Sequence, residues 1–138
     1  MQIRELNLKE LQTAWEVLSQ LRTDIDYNEF EDLVYDMRES NYIMIGIFEK
    51  EELVTYAGVG ISTNLSYKRH LFVHELVTDT KYRLQGYAKM MLAYLNDYAK
   101  VGACENIVLF LEDMTKENYK FYEKHGFEKN STLFVKVI

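Results

Sequence analysis

The chain has 138 residues, a formal net charge of −6 and one cysteine, Cys104. This length supports one hydrophobic core, and we expect residues 1–138 to form a single domain. The acidic balance argues against a nucleic-acid partner, and no apolar run approaches the ~20 residues of a membrane span. Because a lone cysteine cannot form an internal disulfide and the N-terminus lacks a signal-peptide core, we expect a cytoplasmic protein.

The N-terminal third predicts one strand and two helices. Residues 1–6 alternate apolar and polar side chains, which is typical of a short strand. Over residues 8–18 apolar side chains recur at spacings of three and four, which predicts an amphipathic helix. A second amphipathic pattern follows, and either Asp26 or Asn28 can cap its N-terminus.

Three apolar runs in the middle of the chain predict strands. Runs 42–48 and 53–63 are rich in β-branched and aromatic residues, and the charged turn between them indicates a hairpin. Run 70–77 is apolar enough for a strand buried on both faces. A helix is predicted at 86–100, followed by a strand at 106–111.

The C-terminal part predicts one more helix and one more strand. The helix covers residues 116–125 with Thr115 as a candidate N-cap, and the strand is STLFVKVI at 131–138. The complete order is β-α-α-β-β-β-α-β-α-β. This order predicts a mixed α/β fold, in which helices cover both faces of a mixed parallel and antiparallel sheet.

The segment RLQGYA (83–88) lies where the strand at 70–77 gives way to the helix at 86–100. A helix N-terminus offers free backbone N–H groups and the positive end of the helix dipole, so it can bind a phosphate. Small residues at Gly86 and Ala88 would let a phosphate approach the backbone, but many ordinary turns also contain a glycine. The segment matches neither a P-loop nor a Rossmann fingerprint.

Three motifs together resemble the GNAT superfamily of acetyl-CoA-dependent N-acyltransferases. RLQGYA fits the family signature Gln/Arg-x-x-Gly-x-Gly/Ala, and LVTDTKYR (76–83) resembles the stretch that leads into it. NYKFYEKHGF (118–127) resembles the family's asparagine-led helix that ends in Gly-Phe. The element order also matches, so the resemblance covers essentially the whole chain. It implies a GNAT-like fold with splayed central strands, and acetyl-CoA as co-substrate.

The resemblance also implies which residues contact the cofactor. The backbone of the signature would hold the CoA pyrophosphate, main-chain groups of the fourth strand would pair with pantetheine, and the amide of Val77 would polarise the acetyl carbonyl. A polar side chain on the later helix would contact CoA as well. The implied cofactor-binding residues are Leu76, Val77, Thr78, Arg83, Leu84, Gln85, Gly86, Tyr87, Ala88 and Asn118.

Tyr122 is the residue implied to protonate the departing CoA thiolate. Family members commonly place a tyrosine at this position, one helical turn after Asn118. A phenol can donate a hydrogen bond to sulfur and can also transfer a proton. Since the chain holds eleven tyrosines, a packing role is the alternative.

The general base is left between His74 and Glu75. The two are adjacent on a strand, so they point to opposite faces unless a bulge intervenes. In several relatives an acid or histidine at the position of His74 faces the acceptor, and the unperturbed pKa of histidine, about 6.5, suits a base at neutral pH, so His74 is favoured. Glu75 would serve if burial raised its pKa. Either can instead be a core group, and many relatives use no dedicated base.

The expected acceptor is an amine-bearing small molecule or peptide. Residues 24–36 carry six acidic side chains and no lysine or arginine, which would attract a cation, although a solvated helix face is the favoured explanation. No metal-ligand spacing occurs. A homodimer is compatible with the resemblance. The function alternatives are a non-catalytic acyl-CoA-binding or regulatory module on the same fold, and an α/β domain that binds another nucleotide.

Overall fold

The computed structural model describes residues 1–112 and 115–138, and it has a mixed α/β fold. Five strands form one sheet in the order β1-β2-β3-β4-β5, in which β1 to β4 are antiparallel neighbours and β5 runs parallel to β4. The strands are β1 (Gln2–Glu5), β2 (Ile43–Glu49), β3 (Glu52–Asn64), β4 (Lys68–Thr78) and β5 (Asn106–Leu109). The helices are α1 (Leu11–Leu18), α2 (Tyr27–Arg38), α3 (Tyr87–Val101) and α4 (Lys116–Lys124).

Helices cover both faces of the sheet, as the sequence pattern predicts. Phe30 of α2 and Leu18 of α1 belong to a core on one face, whereas Met91 and Leu95 of α3 belong to a second core on the other. Asp26 is the N-cap of α2, since its side chain accepts a hydrogen bond from the backbone N–H of Glu29 at 2.9 Å. Within the described residues, no helix is long and apolar enough to cross a membrane.

The sheet opens between β4 and β5. The two strands pair only from His70 to Val73 on β4, so the remaining residues of β4 extend beyond the end of this ladder. The edge of β4 that faces β5 is thus unpaired beyond Val73 in the described sheet; this unpaired edge, called the gap below, agrees with the expected splay of the central strands.

A β-bulge lies in β4 at the edge of this gap. Gly58 of β3 faces Glu75 and the next residue, Val59, faces Val73, so His74 is the extra residue. The bulge breaks the strict alternation of side chains, and the expectation that His74 and Glu75 point to opposite faces does not hold. Both side chains approach Tyr42.

The predicted sixth strand, at 131–138, is wrong. These residues are all described, form no strand and are exposed, with Phe134 at 91% and Val137 at 89% of full exposure. The alternating sequence has strand propensity, but a strand also needs a hydrogen-bonding partner, and here no neighbouring strand supplies one. No residue of helix α4 is fully buried, although Asn118, Phe121 and Tyr122 are partly buried.

Candidate functional site

The connection between β4 and α3 is fixed to the end of α1 by side-chain amide contacts. Asp79 is 8% exposed, and its carboxylate accepts hydrogen bonds from the backbone N–H of Lys81 at 2.9 Å and from Gln20 Nε2 at 3.3 Å. Gln20 Oε1 in turn accepts from the N–H of Thr80 at 2.9 Å. These contacts hold the start of RLQGYA in place before any ligand binds.

RLQGYA itself leaves the N-terminus of α3 open. Gly86 is the N-cap, with φ of 87°, and a Cβ built there would meet no described atom within 4 Å. Leu84 also has positive φ, at 62°, and its side chain is fully exposed. A phosphate can thus approach the first-turn N–H groups of α3, which have no partners within the helix. The loop therefore leaves room for a phosphate group at the N-terminus of α3.

Arg83 lies between the end of β4 and the loop. Its Nε donates a hydrogen bond to the backbone oxygen of Thr78 at 3.4 Å, which draws the guanidinium side chain back over β4. No hydrogen bond or ion pair within the described residues engages its other two nitrogens, which leaves them available for a phosphate oxygen.

Every second backbone N–H group of β4 points toward the gap, and the others point toward β3. The N–H of Asp79 donates to Val54 O on β3 at 2.8 Å, so the alternation of an antiparallel ladder directs the amide of Val77 toward β3 as well. The main-chain groups of Leu76 and Thr78 then face the open side. This register argues against Val77 as the amide that polarises an acetyl carbonyl, and it favours Leu76.

A buried hydrogen-bonded cluster lies on the α1/α2 face of the sheet. The hydroxyl groups of Tyr42 and Tyr56 are 2.6 Å apart, and Tyr42 also donates to Glu75 Oε2 at 2.8 Å. Tyr42 is 5% exposed and Tyr56 is fully buried. Glu75 is partly buried and lies two residues beyond the end of the β4–β5 ladder.

Burial raises the pKa of Glu75 to about 7, because desolvation penalises the charged carboxylate. The hydrogen bond from Tyr42 and the charge of Arg22 act in the opposite direction, while the charge of Glu112 adds to the increase. A carboxyl with a pKa near neutrality can accept a proton at physiological pH and release it again.

His74 lies beside this cluster but is less constrained. Its ring is 5.3 Å from that of Tyr42 and 4.6 Å from that of Phe72, centroid to centroid, and the residue is exposed. Burial of part of the ring lowers the pKa of His74, which keeps the imidazole neutral. Among the described residues no hydrogen bond orients the ring, in contrast to the carboxylate of Glu75.

Tyr122 lies on α4, whose N-cap is Thr115. The hydroxyl of Thr115 accepts a hydrogen bond from the backbone N–H of Asn118 at 3.2 Å. The ring of Tyr122 packs edge-on against Phe121 at 5.2 Å and Phe127 at 5.5 Å. Partial burial raises its pKa, so the phenol stays protonated. Within the described residues, no hydrogen bond or ring contact joins Tyr122 to β4.

The acidic segment 24–36 is largely engaged in local contacts. Asp24 pairs with Arg22 at 3.0 Å, and Arg22 also pairs with Glu112 at 3.2 Å. With Asp26 capping α2, these contacts agree with the favoured explanation of a solvated helix face. In the described parts of the chain, no group of three or more His, Cys, Asp or Glu side chains is placed to hold a metal ion.

Three residues of the cluster do not follow from the sequence analysis: Tyr42, Tyr56 and Gly58. A methyl group at Gly58 would overlap both the Tyr42 hydroxyl and Glu75 Oε2, so only glycine leaves room for this contact. A glycine inside an apolar strand often marks a close approach by another group, and Gly58 within LVTYAGVGIST is such a signal. Nothing in the sequence indicates which tyrosines occupy the space.

The splayed parallel pair and the open helix N-terminus beside it define an α/β fold that can hold an extended, phosphate-bearing cofactor between two strands. The sequence pattern of the acetyltransferase (GNAT) family matches residues 2–127. The chain therefore belongs to the GNAT acetyltransferase family, as its motifs predict.

Individual proteins agree with this assignment. The chain is 27% identical over 127 residues to an uncharacterized N-acetyltransferase, YhdJ, of Bacillus subtilis (strain 168), covering 91% of this chain and 89% of the relative. A putative acetyltransferase from Agrobacterium tumefaciens str. C58 superposes with a TM-score of 0.83 at 20% identity, covering 100% of both chains. An aminoglycoside N-acetyltransferase, AAC(6')-Iy, solved in complex with CoA, gives a TM-score of 0.84 at 13% identity, covering 99% of this chain and 93% of its own.

Proposed function

We propose that the protein, as one N-acetyltransferase domain in the cytoplasm, transfers the acetyl group of acetyl-CoA to a primary amine by direct attack in a ternary complex. The observation that carries this proposal is the position of Glu75. A carboxylate with a pKa of about 7 lies on the β4 bulge, at the edge of the gap that suits pantetheine. The base is thus next to the place where the thioester would lie.

CoA is bound by backbone rather than by a deep pocket. The loop from Leu84 to Ala88 and the N-terminus of α3 hold the pyrophosphate, and Arg83 adds a charged donor. Pantetheine pairs with the outward main-chain groups of β4, where the amide of Leu76 donates to the thioester carbonyl and stabilises the developing oxyanion. Asn118 contacts the cofactor from α4.

The reaction requires two proton transfers. The amine nitrogen attacks the acetyl carbonyl, the C–S bond breaks, and the proton lost from the nitrogen goes to Glu75 Oε1. The CoA thiolate takes a proton from the phenol of Tyr122, which is protonated at neutral pH because burial raises its pKa. We favour Glu75 over His74 as the base, since Tyr42 orients the carboxylate whereas the imidazole is exposed.

The test is a panel of primary amines incubated with acetyl-CoA and read by release of free thiol. The panel holds a polyamine, an aminoglycoside, amino acids, a peptide N-terminus and a lysine peptide. At least one is expected to give thiol and acetylated amine in equal amounts. Thermal unfolding should show stabilisation by acetyl-CoA of roughly 2.7 kcal/mol at 100 times its Kd, and none by ATP or NAD. Binding without turnover on every amine would favour the non-catalytic acyl-CoA-binding module.

We further propose that the protein forms a homodimer through its C-terminal segment, residues 131–138. Five apolar side chains of this segment are exposed, and contiguous exposed apolar surface in a soluble protein marks an interaction site. Phe134→Lys is expected to convert the dimer to a monomer at micromolar concentration, as measured by sedimentation equilibrium. Val101→Lys, at a residue that is equally exposed at 91%, is the matched control and should remain dimeric. A monomeric wild type would contradict the dimer.

A further inference from the structure

The hydrogen bonds from Tyr56 through Tyr42 to Glu75 run in one direction while Glu75 is a carboxylate. A phenol carries one proton, and Tyr42 donates its own to Glu75 Oε2 at 2.8 Å. While Glu75 is charged, the 2.6 Å contact between the two hydroxyls is then a donation from Tyr56 to Tyr42. Each hydroxyl supports the next, and Glu75 receives the end of the chain.

This chain of hydroxyls does not lead to solvent. Tyr56 is fully buried, so a proton accepted by Glu75 cannot leave through the tyrosines. The arrangement therefore restricts where the carboxylate lies. Oε2 accepts the hydrogen bond from Tyr42, whereas Oε1 has no hydrogen-bond partner among the described residues. Since no buried side-chain oxygen in the described residues lacks a partner, Oε1 is accessible to solvent.

The backbone of β3 is shaped to accommodate this contact. Gly58 lies opposite Glu75 in the ladder, and any side chain there would displace both the Tyr42 hydroxyl and Oε2. Tyr42 stands immediately before β2, and its ring is 5% exposed, so core packing fixes the position of its hydroxyl. Two strands, a glycine and a buried ring thus determine the orientation of one carboxylate.

We propose that Tyr42, supported by Tyr56, is a positioning residue that fixes Glu75 with Oε2 in the tyrosine pair and Oε1 toward the acceptor amine. This inference rests on the proposed function, in which Glu75 is the base. Tyr42 does not touch the substrate and acts only through the carboxylate.

Five charged or titratable groups from different parts of the fold surround Glu75. Tyr42 and Tyr56 flank it, and His74 adjoins it on β4. Arg22 after α1 and Glu112 after β5 act through their charges and oppose each other. Of these groups, Tyr42 donates directly to the charged carboxylate, so removal of its hydroxyl should move the pKa of Glu75 upward.

The experiment titrates the side-chain carboxyl of Glu75 by carbon NMR in the wild type and in Tyr42→Phe, alongside the pH profile of kcat/KM. Tyr42→Phe is expected to raise the pKa of Glu75 by about one pH unit, and the acid limb of the profile should move by the same amount. Tyr82→Phe is the matched control, since the Tyr82 hydroxyl also donates to a glutamate, Glu52, at 2.8 Å. It should leave both quantities unchanged.

An unchanged pKa of Glu75 in Tyr42→Phe overturns the proposal, and so does an NMR shift that the acid limb does not follow. If Tyr42→Phe does not fold, Tyr56→Phe provides the same test. The expected upward shift of the Glu75 pKa is smaller, because Tyr42 still donates its hydrogen bond to Glu75. A wild type that transfers no acetyl group overturns the proposed function, while the NMR titration still decides whether Tyr42 controls Glu75.

Discussion

Replacement of Glu75 by glutamine is expected to lower kcat/KM for acetyl transfer by roughly 100-fold to 10,000-fold, the usual contribution of a general base. Glutamine keeps the shape of the side chain and can still accept a hydrogen bond from Tyr42, but it cannot take a proton from the amine. The affinity for acetyl-CoA should change little, since the cofactor is held by the loop and by β4. Steady-state kinetics and calorimetric titration measure the two quantities separately.

Two further variants make this result specific. His74→Gln should lower kcat/KM by less than about tenfold, because no hydrogen bond among the described residues orients the imidazole for proton transfer. Glu52→Gln removes an exposed carboxylate that also accepts a tyrosine hydrogen bond, and it should leave turnover unchanged. If His74→Gln proved the more damaging variant, the base would be His74.

The same substitution should stabilise the fold in a pH-dependent way. The pKa of Glu75 is about 7 in the folded protein and 4.5 in the ordinary unfolded reference. Between these values the folded protein binds a proton that the unfolded chain has lost, so stability falls as pH rises through this window and stays lower above it. Glutamine at position 75 does not titrate, so Glu75→Gln does not lose stability in this window. Its advantage in free energy of unfolding over the wild type should be about 1–3 kcal/mol larger at pH 8 than at pH 4.5.

Tyr122→Phe is expected to lower kcat by roughly 100-fold or more while the Kd for CoA stays within about twofold. Phenylalanine preserves the edge-on packing against Phe121 and Phe127 but removes the proton that the CoA thiolate would take. Rapid-quench measurement of acetyl transfer separates this chemical step from product release. Tyr119→Phe, on the same helix, is the matched control and should behave as the wild type. Unchanged turnover in Tyr122→Phe would remove Tyr122 from the mechanism.

Several elements of the fold followed directly from local sequence. The helices α1 and α3 and the hairpin of β2 and β3 are determined by residues close together in the chain, and the structure agrees with them. Of the two candidate caps of α2, the structure selects Asp26. The family followed from three short motifs in the right order, and within RLQGYA the positive φ of Gly86 is a conformation that favours glycine.

Residues 131–138 illustrate the limit of that reasoning. The alternating pattern of STLFVKVI favours an extended strand, but a strand forms only where a neighbouring strand offers hydrogen bonds, and the described sheet ends at β5. Propensity belongs to the segment, whereas pairing is a property of the whole fold. The sequence therefore predicted a strand that the structure does not contain, because local propensity does not show whether a segment has a pairing partner.

The sequence by itself determined the family, the element order through α4, and the pair of candidate bases, His74 and Glu75. Only the tertiary structure shows how the surroundings of these two side chains differ. The surroundings of Glu75 depend on contacts between residues up to 33 positions apart in the chain. These contacts are the β4 bulge, the close approach at Gly58 and the hydrogen bond between Tyr56 and Tyr42. The pKa of a carboxyl depends on its burial and on the donors that reach it, and both are set by which strands lie side by side.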